Sequence, residues 1–201
     1  MANTVRTYGG LKPLEYMNGT PWNGKVREYL IPAAEGTATF IGDAVMPYTA
    51  GGTAGTVVNG RDCEGMPTCN QAAAGDIFLG VVVGFLPNQD NLMQKHRVAS
   101  TNRIALVVDD PNVLFEIEEI NSGTALTSTE VGLNALVSVG AGNTTTGLSG
   151  MVLDNGSEVT TAASPLRIIG LVKRPDNNYG LGAKWIVAIN DHSFRTGVAG
   201  V

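Results

Sequence analysis

Charge is scarce in this chain. Asp, Glu, Lys and Arg make up 15% of its 201 residues, and the 13 Lys and Arg are scattered rather than gathered into a stripe. With a formal net charge of −5, it lacks the basic footprint of a nucleic-acid binder, which disfavours DNA packaging and polymerase accessory roles. Aromatic residues amount to 6%, too few for a broad sugar-stacking platform. No apolar run approaches the ~20 residues of a membrane-spanning helix. The start, M-A-N-T-V-R-T-Y-G-G, lacks the apolar core of a signal peptide. A soluble protein made in the cytoplasm and bound to no membrane is the expectation.

Cysteine and histidine are nearly missing. Cys63 and Cys69 sit in C-E-G-M-P-T-C; a secreted disulfide scaffold would carry more, and a zinc site would need two further ligands nearby. A pair of loop thiols is expected, with one local disulfide as the alternative. His96 lies in Q-K-H-R, where neighbouring cations disfavour its protonation, and His192 follows Asn190-Asp191. There is no G-x-S-x-G elbow, H-E-x-x-H helix or P-loop, and no cofactor is expected. Glu116 and Glu118 share one strand face about 7 Å apart. Glycosidase carboxylates must flank a cleft, so a solvated strand face is the plainer reading. Asp109-Asp110 and Asp176-Asn177-Asn178 are oxygen-rich turns without the spacing of a calcium loop. No catalytic and no metal-binding residue is assigned.

What is present is β-forming sequence. Twenty-six glycines among Val, Ile and Thr, without long helical periodicity, predict an all-β chain with a β-barrel or β-sandwich core. The central stretch is R-I-A-L-V-V-D-D-P-N-V-L-F-E-I-E-E-I, residues 103–120. Ile104–Val108 reads as a strand inside a sheet, Asp109-Asp110-Pro111-Asn112 as a tight turn, and Leu114–Ile120 as a second strand, the two forming a hairpin. Phe115 and Ile117 take its buried face, Glu116 and Glu118 its wet one.

Other strands are predicted at 25–32, at 38–41 and 44–48 around Gly42-Asp43, at 56–58, and within 75–85, whose glycines permit close approach. Later ones fall at 135–139, 150–153, 166–172 and 183–190, where Trp185, Val187 and Ile189 alternate with Lys184, Ile186 and Ala188. Thr127-Ser128-Thr129-Glu130 has capping-box spacing, predicting one short helical turn. Residues 63–74 and 140–149 read as surface loops.

Residues 1–24 stand apart as an extended N-terminal arm, with 25–201 as the β-rich domain, and a division into two packed β subdomains near 120–135 as an option. The arm spaces its large apolar groups widely: Tyr8, Leu11, Leu14, Tyr16, Met17 and Trp22. Burial of so few anchors does not offset the cost of ordering some twenty residues. The arm therefore needs backbone pairing within its own domain, or a partner surface, and these six residues are the candidate partner contacts. Its removal is expected to leave the fold intact.

The stretch V-V-D-D-P-N-V-L-F-E-I-E-E resembles a segment that recurs in tailed-bacteriophage virion proteins. The order that follows is similar too: T-T-T-G-L-S-G-M-V-L-D, then S-P-L-R-I-I-G-L-V-K-R-P-D-N, then W-I-V-A-I-N-D-H. The resemblance covers residues 75–194. It implies a non-enzymatic capsid decoration, or cement, protein: a homotrimeric β-barrel or β-sandwich module bound to the major capsid protein on the outside of the head. A glycan-binding or tail-associated adhesion module, with Trp22, Trp185 or Tyr179 stacking on sugars, is the alternative. A head-completion or tail component is another.

Overall fold

The computed structural model describes residues 3, 9–52 and 55–200. Among the described residues fourteen strands and one 3-10 turn make up the regular structure, which is all-β. In chain order they are β1 (Lys12–Tyr16), β2 (Arg27–Ile31), β3 (Ala44–Gly52), β4 (Val57–Val58), β5 (Arg61–Asp62), β6 (Pro67–Gln71), β7 (Gly80–Phe85) and β8 (Arg103–Val108). After these come β9 (Val113–Glu118), the turn Ser128–Glu130, β10 (Asn134–Ala135), β11 (Val137–Ser138), β12 (Val152–Leu153), β13 (Leu166–Leu171) and β14 (Lys184–Ile189).

Strands β2-β6-β3-β7-β8 close into a barrel. Closure removes the free sheet edges. Alternation along β2 sends Tyr29 and Ile31 into the barrel with Val45, Cys69, Leu79, Val82, Ala105 and Val107. Its neighbour Leu30 points outward, to a satellite cluster with Val58, Cys63 and Ile104 beneath the small β4–β5 ribbon. Gly80 is required where β7 crosses β8, because a Cβ there would collide with the Val108 carbonyl oxygen.

The second sheet has the order β1-β9-β14-β13-β10. Its Phe115, Ile117, Trp185, Val187, Ile189, Leu166 and Ile168 pack against Ala44, Phe78, Val81 and Val108 of the barrel wall and its approaches. The main core thus lies between barrel and sheet.

Several expectations need correction. Strands β8 and β9 do not form a hairpin: β8 pairs with β2 and β7, whereas β9 pairs with β1 and β14. The D-D-P-N turn passes the chain from one sheet to the other, Asp110 closing it through the Asn112 and Val113 amides. Residues 67–71 are a barrel strand rather than loop. Residues 38–41 make only isolated bridges, Thr39 with Arg97 and Ile41 with Leu148. The expected strand 135–139 splits between two sheets. The loop at 140–149 is not all surface, since Gly142 lies against Phe40 and Ser149 is fully buried. The helical turn forms as predicted, with both halves of its capping box present.

Candidate functional site

The predicted polar residues are held in structural pairs. Arg174 grips Glu116 with two bonds of 3.0 Å, and Lys184 Nζ lies 3.9 Å from Glu118 Oε2. The expected wet face of β9 is therefore covered, because Gly9, Gly10, Met151 and Val152 line the same crevice as Glu116, Glu118 and Lys184. Asp109 is buried and accepts from Tyr29 Oη at 2.8 Å and from Arg27 at 3.1 Å. Asn177 is used up on the Val172 and Lys184 carbonyls and the Lys184 amide. Among the described residues no three His, Cys, Asp or Glu side chains gather as metal ligands do.

His96 stacks on Phe40, ring centroids 4.8 Å apart. Its pKa is lowered, chiefly by burial and then by the Arg103 charge. His192 is buried; its Nδ1 accepts the Phe194 amide at 3.0 Å and its Nε2 makes no hydrogen bond. Burial, with Arg195 beside it, depresses its pKa to about 4. Its Nδ1 is thus occupied by a backbone amide, where a Ser-His-Asp relay would place its aspartate.

Cys63 and Cys69 are buried and not disulfide-bonded, in separate clusters. Burial pushes the Cys69 thiol up to about 12, against a smaller opposing effect of Arg97.

The arm is part of the sheet. Strand β1 pairs with β9, and its chain folds back through the Tyr16–Thr20 bond to bridge Glu15 with Pro21. Leu11 is a core residue, Tyr16 and Trp22 pack partly buried against the core, and Leu14 and Met17 remain exposed. Tyr8 lies outside the described residues. Pro13 and the register shift at Leu14 disrupt the outer edge of β1, which guards it against indiscriminate strand pairing. The exposed apolar side chains here are Leu14 in β1 and Met17 in the turn after it.

A second feature carried no sequence signal. The loop after β7 is built by its own polar groups. Arg103, buried, donates to the Leu86 carbonyl, the Gln94 carbonyl and the Gln94 side-chain oxygen. Asn88 also donates to that oxygen. The Asn91 and Gln94 amides close turns within the loop, and Asn59 and Gln89 fasten it to the β4–β5 ribbon. At the tip of this braced loop Leu92 and Met93 are 76% and 80% exposed. Leu92 and Met93 are thus adjacent exposed apolar side chains on a loop whose backbone is held by hydrogen bonds. In the sequence the stretch reads as an ordinary polar loop, because the order comes from the side chain of Arg103, at the start of the next strand.

Trp185 is fully buried and donates to Glu119 at 2.9 Å. It is withdrawn from any sugar-stacking role, which leaves the glycan reading with half-exposed Tyr179 and partly buried Trp22. Comparison with known proteins yields no matching family model, no matching curated protein and no matching solved structure.

Proposed function

We propose that this chain is a non-enzymatic structural protein of the tailed-phage virion. As a capsid decoration, or cement, protein made in the host cytoplasm, it binds the outer surface of the head as a homotrimer and stabilises the shell against DNA pressure. The resemblance of residues 75–194 supplies the class. The observation that carries the reading is a pair of exposed apolar features on different elements of one β body: Leu14 in β1 with Met17 just after it, and Leu92 and Met93 on the braced loop after β7. An adhesive subunit needs one surface for the shell and another for its own kind.

Mechanism follows from multiplicity. Expansion under DNA pressure draws major capsid proteins apart, and an oligomer bridging them raises the cost of further separation. Several weak contacts held in one closed oligomer add through effective concentration, so no single contact has to be tight. In this account β1 meets the major capsid protein.

Deleting residues 2–24 is not the test, because it removes Leu11 from the core and β1 from the sheet. The paired substitution Leu14→Asp and Met17→Asp alters exposed groups only. Co-sedimentation with heads stripped of this protein should show binding at least about tenfold weaker, two apolar contacts being worth ~1.5 kcal/mol or more together, with an unchanged melting temperature. Undiminished decoration by the double variant would remove β1 from the contact.

A further inference from the structure

Strand β1 and the barrel wall enclose a shallow apolar groove of about 430 Å³. Leu11, Trp22, Val26, Val83, Leu106 and Leu148 line it, and Lys12 is the charged residue among the described ones on its rim, where it also borders the crevice of Glu116 and Glu118. The Leu92–Met93 loop has the complementary character. Between Pro87 and Gln94 its one charged side chain is exposed Asp90. Within its own chain that loop is bonded to the β4–β5 ribbon through Asn59.

We propose that copies of this chain associate head to tail, the Leu92–Met93 tip of one seated in the groove of the next with Asp90 beside Lys12. Two different features of one molecule, a tip and a groove, make a heterologous contact, which closes into a ring when the rotation per subunit permits and otherwise runs on as a filament. Ring closure is what the decoration reading requires of a homotrimer, and the inference deepens that reading by naming the contact. The tip is already ordered, so the contact needs little rearrangement. Methionine suits a knob of this kind, since its flexible thioether adapts to an irregular apolar wall.

Purified protein alone tests the contact, separately from any head. Sedimentation velocity over a concentration series should show reversible self-association. Leu92→Ser with Met93→Ser should weaken it at least about tenfold and leave the melting temperature unchanged. Asp90→Lys should weaken it about two- to fivefold, as an exposed ion pair does, and adding Lys12→Asp should restore it. Mixing Val83→Cys protein with Met93→Cys protein under mild oxidation should give a disulfide-linked dimer containing one of each. A monomer at every concentration overturns the proposal, as does association indifferent to Leu92 and Met93, or cross-linking of Met93→Cys with itself alone. A monomer that decorates heads and loses them with the Leu92/Met93 variant assigns the tip to the shell, and overturns the pairing while sparing the decoration reading. A ring that ignores heads does the reverse.

Discussion

Trp185 Nε1 donates to Glu119 Oε2 across 2.9 Å in the middle of the main core. Glu119 is 1% exposed, and its other oxygen accepts from the Leu126 amide and from Asn155, both at 3.0 Å. One carboxylate thus joins β14 to the segments around Leu126 and Asn155. The three donors are all neutral groups. Glu119→Ala should cost on the order of 3 kcal/mol, because three buried donors are left unpaired. Glu119→Gln keeps the shape and an acceptor and should cost less. Urea unfolding measures both, and equal losses would show that packing, not hydrogen bonding, holds the site.

Two buried groups pull the pH profile in opposite directions. Burial raises the Asp43 pKa from 3.8 to about 6, outweighing the Ser149, Phe40 and Gln71 contacts that favour the charged form. A raised acid contributes stability below pH ~3.8 that is lost as pH rises through ~6. His192 is lowered from 6.5 to about 4, so its contribution is present above pH ~6.5 and lost as pH falls through ~4. Each is worth on the order of 3 kcal/mol, and between pH 4 and 6 they largely cancel. Asp43→Asn removes one side of the balance. Chemical denaturation should find it more stable than the parent at pH 8 and should show a steeper loss between pH 6.5 and 4. Parallel pH profiles for the two proteins would contradict the assignment.

Gly80→Ala tests the β7–β8 crossing. The added methyl meets backbone, the Val108 carbonyl oxygen, and the Val107 side chain behind it, so rotamer changes cannot relieve the clash. The loss should reach or exceed the ~1–3 kcal/mol usual for overpacking. Gly170→Ala, where an added Cβ meets nothing within 4 Å, is the control. Thermal melts of the two should differ by several degrees; matching melts would mean that the strands yield.

Neither thiol should react in the folded protein. Cys63 is 1% exposed and Cys69 0% exposed, and a thiol whose pKa is pushed up to about 12 carries almost no thiolate at neutral pH. A chromogenic disulfide reagent should titrate no thiol in the native state and two after denaturation. Rapid native labelling would show the β4–β5 ribbon or the barrel opening locally.

Local chemistry was legible in the sequence; the choice of partner was not. The alternation of Trp185, Val187 and Ile189 marked a strand, though not that Trp185 is buried, and T-S-T-E predicted the capped turn. The glycine-rich run at 75–85 foretold the close approach that Gly80 makes. The pairing of β8 and β9 was misread because apolar strands flanking a tight turn look alike whether they pair with each other or with two separate sheets. Strand β6 was missed because P-T-C-N-Q has neither alternation nor β-branched density; the barrel fixes it from outside. Arg97 gave no signal either. It sits in a polar stretch, yet it is fully buried and donates to the Pro32, Glu35, Thr37 and Thr101 carbonyls. The arm residues were rightly singled out as large and apolar, but periodicity could not tell buried Leu11 from exposed Leu14.

The number of copies of this chain in a purified particle tests the proposed role most directly. Quantitative mass spectrometry would measure it against the major capsid protein, and electron microscopy would show where the copies lie. The account predicts hundreds of copies on the outer shell. A dozen or fewer at the neck or tail, or none at all, would contradict it.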